Sequence, residues 1–511
     1  MNETIQERKR PAVFSVIVIT IALGLRWHAG ASIPPFDDAY HLKRIESPRI
    51  LEFDPDRGEH GAFTPWPPLY DEAMRPFGGR GWVPPIFFAL FAAGVTFVHP
   101  VAGITLALSP YLIGISSTGH IDHHYVEPLL VLLILWATVR RRGVWLGVAI
   151  ALALMVQTAL LVAAGLAFVA IFLFNDDSRE GAIAFAIAAI AIVLFRLTRL
   201  PAYPDSAWFL GYAHAALLGA AAIACALRDR LGRVLALAAG GALAVAIPST
   251  STAFLTGVHF FGGDPWLQSI IEFQPMLHHR FEIGTDLANL TGGALIGLWL
   301  WRRQPTVALF STAYLVLAIS SRRFLVPAIA IFAVSGALAV INARRKSVAW
   351  IFALATVLPP LAYEVYAFRN PEPSNEEYCS VAERMRALPR GRVLAPWSFG
   401  HAIDVIGRKP VIIDNFGSMP DERVFTQAIE ATLTTHVETL LRYCRDRDVR
   451  YVVLPHPAYV PAAAATIGIP PELYSSTRRA QRTVWARLYR GEQIGGFTLV
   501  SEGALKVWRI D

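Results

Sequence analysis

The sequence has few charged residues and almost no cysteine for its length. Asp, Glu, Lys and Arg make up only 17% of its 511 residues, whereas 54% are hydrophobic. This balance excludes a single soluble domain, in which charged residues make up about a quarter of the total. Three cysteines are too few for a disulfide scaffold. Two of them, Cys379 and Cys444, fall in a polar C-terminal part, and the sequence leaves open whether they pair.

Long apolar segments separated by short charged clusters predict a polytopic α-helical membrane protein. We count about thirteen transmembrane helices on this pattern. In chain order they cover residues 11–25, 82–99, 101–118, 126–139, 144–164, 165–174, 182–197, 208–227, 234–247, 288–301, 307–320, 324–343 and 348–366. The first segment lacks a small-residue cleavage site, so we expect a retained helix rather than a signal peptide.

Basic residues predict the orientation of these helices. If the N-terminus lies in the cytoplasm, four basic clusters lie there too, as the positive-inside rule requires; they cover residues 140–142, 228–233, 302–303 and 344–346. The net charge of +7 then belongs to loops between helices, so we expect no nucleic-acid partner. Arg322 and Arg323 break the rule because they fall at an outer helix end, which favours a ligand site there.

The same orientation predicts the domain organisation and location. We expect a multi-pass protein of the cell (inner) membrane, with its transmembrane domain over residues 1–368 and two long outer loops at 31–80 and 248–285. Residues 369–511 should form a small α/β domain outside the cytoplasm. Its predicted strands cover 392–395, 410–413 and 450–454, and its predicted helices cover 376–388 and 424–447.

Acidic residues and an imidazole recur on the predicted outer face. Asp37 and Asp38 follow the first helix, Asp122 and His124 lie between two spans, and Glu272 lies in the second long loop. Each has an ordinary structural interpretation, since Asp caps helices and a loop Glu is usually solvated. Carboxylates with an imidazole also suit a divalent cation bound beside a phosphorylated substrate. Three such sites on one face favour the second interpretation.

Four segments, which contain these residues and the Arg322-Arg323 pair, resemble motifs of the catalytic subunit of oligosaccharyltransferase in the same order. They are residues 36–44 (FDDAYHLKR), 119–124 (GHIDHH), 269–272 (SIIE) and 321–325 (SRRFL). The resemblance spans the whole chain and is greatest to archaeal and non-classical bacterial members. It implies a GT-C fold. It also implies that the enzyme acts at the lipid bilayer and transfers an oligosaccharide from a polyprenyl (pyro)phosphate donor to Asn of a polypeptide acceptor. The enzyme would act as a single subunit or with partners that the sequence does not identify.

The resemblance also implies roles for the acidic residues. Asp38 matches the catalytic aspartate that contacts both the metal and the acceptor amide, and Asp37 is its rival because the match is ambiguous by one residue. Asp122 and His124 match the metal-binding pair, and Glu272 matches the acidic residue of the large loop. The implied cofactor is Mn²⁺ or Mg²⁺.

Donor and acceptor contacts follow in the same way. Arg323 matches the arginine expected to hold the lipid-linked phosphate, with Arg322 beside it. The acceptor motif of the family, Trp-Trp-Asp-Tyr-Gly, corresponds here to Pro-Trp-Ser-Phe-Gly, so Trp397, Ser398 and Phe399 are the candidate acceptor residues. A neutral Ser hydroxyl is a weaker acceptor of hydrogen bonds than a carboxylate.

That departure leaves several functions open. The acceptor is either an Asn sequon read under a relaxed rule or a different group on a lipid, a glycan or a hydroxyl side chain. A transporter of lipid-linked sugars and a non-catalytic scaffold are the alternatives outside catalysis. Transporters hold ionisable groups near the bilayer midplane, whereas the acidic residues here lie in predicted outer loops, which favours catalysis.

Overall fold

Helices make up most of the described chain in this computed structural model. The described residues are 2–29, 34, 36–174, 178–206, 208–227, 230–246, 265–270, 296–297, 299–369, 376–475, 477–503 and 505–511. The chain divides into two compact units. Unit 1 comprises Met1–Ile33, Trp66–Gly257 and Glu272–Glu372, and unit 2 comprises Pro34–Pro65, Val258–Ile271 and Pro373–Asp511. Parts of both predicted outer loops therefore group with the C-terminal residues, although the sequence assigned the loops to the first domain.

Unit 1 is built from apolar helices, several of which begin with proline in their first turn, where its missing N–H leaves no hydrogen bond unmade. They are α1 Asn2–Ala29, α3 Leu69–Met74, α4 Val83–Val95, α5 Pro100–Leu108, α6 Pro110–Ile115, α7 Glu127–Val139, α8 Gly143–Val156, α9 Leu161–Phe174, α10 Arg179–Leu197, α11 Tyr212–Ala226, α12 Arg230–Ala246, α14 Pro305–Ser320, α15 Leu325–Asn342 and α16 Lys346–Arg369. Helices α2 and α13 belong to unit 2.

Two of the predicted spans end earlier than the sequence indicated. The expected helix over 101–118 is wrong as one element, because Ser109 is extended and Pro110 starts a separate helix. The expected span over 144–164 ends at Val156, because Gln157 is also extended and its side chain accepts a hydrogen bond from Ala159 N, which caps a following 3-10 turn. The first break comes from a proline and the second from a side-chain cap, and neither comes from a loss of hydrophobicity.

Helix packing in unit 1 centres on α7 and α15. Helix α15 packs against α5, α7, α14 and α16, while α7 also packs against α8 and α9. Helices α8 and α10 approach closely at Gly147, where an added Cβ would come within 2.6 Å of Ala184 O. The turns that precede α7 and α15 lie at the same end of unit 1, since Arg323 contacts His124 and Glu127.

Two described helical segments, Arg179–Leu197 and Arg322–Asn342, are long and apolar enough to cross a membrane, and shorter apolar helices accompany them. Large apolar side chains such as Leu90, Ile190 and Leu194 are exposed on the outsides of α4 and α10. A helix that is apolar on all sides is typical of a protein interior or a membrane span. The count of thirteen spans stays a prediction.

Unit 2 contains a four-stranded mixed sheet with the strand order β3-β4-β6-β5. Strands β3 and β4 pair in parallel, while β6 is antiparallel to both β4 and β5. A separate two-stranded ladder joins β1 and β2. The strands are β1 Phe53–Asp54, β2 Ala62–Phe63, β3 Arg392–Leu394, β4 Val449–Leu454, β5 Phe497–Ser501 and β6 Lys506–Ile510.

The helices of unit 2 are mostly short. They are α2 Asp37–Glu46, α13 Pro265–Ser269, α17 Glu376–Ala387, α18 Glu422–Leu433, α19 Val437–Asp446, α20 Val460–Ala465, α21 Glu472–Ser475, α22 Thr477–Arg482 and α23 Val484–Tyr489. Val381, Val393, Phe399 and Val411 are among the side chains of one buried core. The helix predicted over 376–388 and the strands predicted over 392–395 and 450–454 are confirmed to within one residue at each end.

Three details of unit 2 differ from the sequence expectations. Residues 410–413 form no strand; Val411 makes isolated bridges to Arg57 and Val393, because Pro410 has no N–H to extend a ladder. The helix predicted over 424–447 is two helices, separated at an extended Thr434. Cys379 and Cys444, whose pairing the sequence left open, are both free thiols.

Candidate functional site

The candidate site in unit 1 lies where α7 and α15 begin. A 3-10 turn over His123–Tyr125 leads into α7, and a second over Arg322–Phe324 leads into α15. Since α7 and α15 pack against each other, the two turns meet. Asp122, His124 and Arg323 are each less than a tenth exposed. Residues that lie about two hundred positions apart along the chain are thus buried together.

Direct contacts link these three predicted residues. His124 Nε2 lies 3.2 Å from Asp122 Oδ2, and Arg323 NH1 lies 2.7 Å from His124 Nδ1. The predicted metal-binding pair and the predicted phosphate-binding arginine therefore belong to one cluster. Arg322 is buried in the same 3-10 turn.

Glu127 completes this cluster, and the sequence interpretation missed it. Its Oε1 lies 2.8 Å from His124 Nδ1 and 2.5 Å from Arg323 NH2. The carboxylate is 1% exposed and lies in the first turn of α7, where the helix dipole favours a negative charge. Its three-residue spacing from His124 at a helix start was the available signal. Asp122, His124, Glu127 and Arg323 are called the His124 cluster below.

His123 occupies the space beside the His124 cluster. Its Nδ1 lies 2.8 Å from Asp122 Oδ1, and its Nε2 lies 2.8 Å from Gln157 Nε2. The ring packs near Trp66 and Tyr70, with centroid separations of 5.7 and 6.1 Å. Trp66 precedes α3 and Tyr70 lies in its first turn, and both rings pack around the imidazole.

The donor atoms of this region suit a divalent cation. His124 Nε2 and Asp122 Oδ2 lie 3.2 Å apart, and the nitrogen and oxygen atoms of His123, His124 and Glu127 form a second candidate group, all within 4.8 Å of one another. If His124 donates its Nδ1–H to Glu127, its Nε2 lone pair faces Asp122 Oδ2, and two such acceptors are stabilised by a proton or a cation between them. Imidazole with carboxylate is a ligand combination found for transition metals. The residues present therefore fit the cation that the resemblance implied.

The first-loop aspartates lie in unit 2, at the start of α2. Asp38 is 4% exposed, whereas the Asp37 side chain is 38% exposed and lies 3.3 Å from His401 Nδ1. His401 is fully buried and stacks on Tyr40, with the ring centroids 4.8 Å apart. Asp37 is thus the accessible carboxylate of the two, and His401 sits directly behind it. Glu272 lies outside the described residues.

The candidate acceptor motif forms a 3-10 turn over Trp397–Phe399. Phe399 is buried in the core of unit 2, which fixes the turn, while Trp397 and Ser398 remain partly exposed. The Trp397 ring makes an edge contact with Trp266, at a centroid separation of 6.2 Å. The motif therefore offers one aromatic face and one hydroxyl group at the surface of unit 2.

Buried ion pairs join the first-loop segment to the C-terminal residues within unit 2. Lys43 Nζ lies 2.7 Å from a carboxylate oxygen of both Asp54 and Asp404, and Arg57 forms a buried ion pair with Asp414. We call these five residues the loop-anchoring cluster. Sequence reasoning did not anticipate it, because its partners lie about 360 residues apart.

Burial and charge together shift the pKa values in the loop-anchoring cluster. Burial raises the pKa of Asp404 to about 7, and the neighbouring Asp54 adds to this effect while Lys43 opposes it. Burial alone would lower the pKa of Lys43, but Asp404 and Asp54 hold it above its usual range. Burial would likewise raise the pKa of Asp414, yet the Arg57 guanidinium holds it below its ordinary value.

No protein-family model matches this sequence, and no curated protein matches it. Solved structures do match its fold. The archaeal oligosaccharyltransferase AglB from Archaeoglobus fulgidus, in complex with an inhibitory peptide and a dolichol-phosphate, superposes with a TM-score of 0.80 at 16% identity, covering 97% of this chain and 80% of that one.

Two further structures of the Archaeoglobus fulgidus oligosaccharyltransferase are similar. One is a complex with Zn and sulfate (TM-score 0.73) and the other is tethered by a disulfide bond to an acceptor peptide with the NVT sequon (TM-score 0.75); each is 16% identical and covers 96% of this chain and 79% of the other. The resemblance predicted from the sequence is confirmed at the level of the fold: this chain has the same fold as these oligosaccharyltransferase structures.

Proposed function

We propose that this chain is a membrane glycosyltransferase that moves an oligosaccharide from a polyprenyl phosphate or pyrophosphate to an acceptor. One observation carries the proposal: Asp122, His124 and Arg323, predicted separately from the sequence, meet in one buried cluster. The solved neighbours bind a dolichol-phosphate, Zn with sulfate, or an acceptor peptide. A donor phosphate, a cation and a peptide are the three components that the proposed reaction needs.

Arg323 is suited to hold the departing phosphate. Its guanidinium has five N–H donors in a planar fork, and two of its nitrogens contact His124 and Glu127. Those two contacts fix the plane of the guanidinium, so that its other donors are oriented before the donor arrives. Buried donors that need no reorganisation stabilise developing negative charge more than they would in water.

Asp122 and His124 are the residues that would hold Mn²⁺ or Mg²⁺. When bound, the cation would neutralise charge that builds on the phosphate as the glycosidic bond breaks. An imidazole ligand favours Mn²⁺ over Mg²⁺, which prefers oxygen ligands.

Asp37 and Asp38 are the candidates for activating the acceptor. Glu272 is a third candidate for the same role, on its match to the family motif alone. An amide nitrogen is a poor nucleophile because its lone pair is delocalised, and a carboxylate that hydrogen-bonds the amide N–H groups weakens that delocalisation. Asp37 supports this role by its exposure, and Asp38 by its match to the family motif. The acceptor is the Asn of a polypeptide in the first version of the proposal, as the tethered NVT peptide of a neighbour suggests.

One observation favours a second acceptor class. Ser398 replaces the carboxylate of the family's acceptor motif and remains partly exposed beside Trp397. A hydroxyl group binds an acceptor hydroxyl less strongly than a carboxylate does. Transfer to an acceptor without the Asn-x-Ser/Thr pattern is therefore the alternative.

The proposal includes a topology. The helices of unit 1 would span the inner membrane with the N-terminus in the cytoplasm, and residues 369–511 would lie outside it, so that the donor lipid and the acceptor meet at the outer surface. Whether the enzyme acts as a single subunit is part of the same proposal. Cysteine labelling of intact cells at Arg80 and at Arg141 would test this arrangement, since only the first position should react with an impermeant reagent.

The decisive experiment measures transfer of a lipid-linked oligosaccharide to an Asn-x-Thr peptide and to a hydroxyl acceptor, with and without Mn²⁺. We expect Mn²⁺-dependent transfer that is lost in Asp122→Asn and Arg323→Gln and retained in the exposed control Arg80→Gln. Equal transfer by the Asp122 and control variants would contradict the proposal. Movement of the donor across vesicle membranes that survives both site substitutions would instead identify a transporter.

A further inference from the structure

His123 has a side-chain partner at each of its ring nitrogens: Asp122, which is buried, and Gln157, which is partly exposed. His123 itself is 1% exposed, with Asp122 Oδ1 2.8 Å from Nδ1 and Gln157 Nε2 2.8 Å from Nε2. Neither the sequence motif nor the proposed reaction gives this residue a role. A neutral imidazole has one N–H and one lone pair, so the identity of its two partners decides which nitrogen carries the proton.

Gln157 settles that choice because its amide is itself oriented. Its Oε1 faces the following 3-10 turn, 3.5 Å from Ala159 N and 3.4 Å from Thr158 Oγ1, both of which are donors. The amide NH₂ group therefore points to His123 and donates to Nε2. With Nε2 accepting, the proton lies on Nδ1, which is 2.8 Å from Asp122 Oδ1.

We infer that His123 is a positioning residue for Asp122 and not a metal ligand, and that Gln157 acts through it. This inference rests on the proposed function, because it concerns the residue proposed to bind the cation. The chain Gln157–His123–Asp122 holds Oδ1 in place and leaves Oδ2 directed at His124 Nε2, 3.2 Å away. Hydrogen bonds of this kind orient the ligands of metal sites and raise their basicity.

The two neighbouring histidines thus have different tasks despite their similar positions. His123 uses Nδ1–H to hold Asp122 and its Nε2 lone pair to accept from Gln157. His124 directs Nδ1 to Glu127 and Nε2 to Asp122. In the proposed site the cation would lie between His124 Nε2 and Asp122 Oδ2, which are 3.2 Å apart.

The test uses the full-length protein in detergent with Mn²⁺ as the probe. Its affinity is measured by the EPR signal of free Mn²⁺, and the coordinated nitrogens are counted by pulsed EPR. The variants are His123→Phe, which keeps a ring against Trp66, and Gln157→Leu. The controls are the partly or fully exposed Gln304→Leu and His436→Phe.

We expect one coordinated imidazole in the wild type, retained in His123→Phe and lost in His124→Phe. Mn²⁺ affinity should fall by about 10- to 100-fold in His123→Phe and in Gln157→Leu, the usual effect of losing an outer hydrogen-bond partner. The double variant should be no weaker than His123→Phe alone, because Gln157 acts only through His123.

Two results would overturn the inference. Two imidazoles in the wild type, one of them lost in His123→Phe, would make His123 a ligand, and unchanged affinity in both variants would deny it a positioning role. Absence of Mn²⁺ binding by the wild type would remove the cation site and the inference with it. If Mn²⁺ binds as expected but no sugar is transferred to either acceptor class, the proposed function fails and the positioning role stands.

Discussion

Asp404 makes the stability of unit 2 depend on pH in a direction opposite to the usual one for a buried carboxylate in an ion pair. Its side chain is buried against Lys43 and Asp54, with Arg57 as the next charge. Burial, reinforced by Asp54, raises its pKa from the ordinary 3.8 to about 7. The protonated form is therefore favoured in the folded state. The stabilisation is complete below pH 3.8 and is lost as the pH rises through about 7.

The size of the effect follows from linkage. With pKa values of 3.8 unfolded and about 7 folded, the unfolding free energy should fall by roughly 3 kcal/mol between about pH 5 and pH 9. Lys43 adds nothing in this interval, because its pKa is raised from an ordinary value that already lies above it, so its stabilisation is lost only at higher pH. Asp404→Asn removes the titrating group but keeps its shape.

The assay is thermal or denaturant unfolding of the detergent-solubilised protein, measured from pH 5 to 9 for the wild type, Asp404→Asn and the exposed control Asp446→Asn. We expect the wild type and the control to lose stability as the pH rises, and Asp404→Asn to lose much less. The unfolding free energy of Asp404→Asn should differ most from that of the other two proteins at pH 9, where only the wild type and Asp446→Asn carry the buried Asp404 charge. Parallel pH profiles for all three would refute the assignment of the effect to Asp404.

Three other substitutions have defined outcomes. Arg323→Lys keeps the positive charge but loses the planar guanidinium, so the rate of transfer should fall by about 10- to 100-fold, as expected for one or two charged hydrogen bonds. Titration with the donor would check this, and unchanged kinetics would exclude bidentate binding. Ser398→Asp should lower the KM for Asn-x-Ser/Thr peptides relative to other acceptors, and an unchanged preference would remove this residue from acceptor selection. Arg26 is fully buried and donates to Ser116 Oγ at 2.7 Å and Ala107 O at 3.0 Å, so Arg26→Met should lower stability by about 2 kcal/mol; an unaltered melting temperature would contradict this reasoning.

The residues that meet in the His124 cluster were predictable where their chemistry conflicted with their position. Asp122 and His124 interrupt apolar runs, and Arg323 violates the charge rule at an outer helix end, so each required an explanation in the sequence alone. Glu127 was overlooked because an acidic residue at the first position of a helix has an ordinary explanation in the helix dipole. Its contacts with His124 and Arg323 depend on the packing of α7 against α15, which no local pattern encodes.

The loop-anchoring cluster shows the same limit at the level of the fold. Lys43 and Arg57 lie in the first predicted outer loop, and both pair with carboxylates from the C-terminal part of the chain, Asp404 and Asp414. The number of carboxylates available to pair with them is large, and sequence spacing does not choose among them. Helix ends set by a single cap were equally hard to predict, as at Gln157, since hydrophobicity continues across the break.

Charge balance explains why the His124 cluster is suited to hold a cation and a phosphate together. Asp122 and Glu127 bring two formal negative charges to this buried cluster and Arg323 brings one positive charge, so a proton on His124 or a cation between His124 and Asp122 completes the balance. An uncompensated charge is costly to bury, so a cation that takes the place of that proton would keep the carboxylates compensated. A bound cation in turn makes the site attractive to the donor phosphate, and by linkage the phosphate strengthens the binding of the cation by the same factor. Glu127 contacts both Arg323 and His124, so in the proposed reaction it would keep the guanidinium directed at the phosphate and the imidazole directed at the metal.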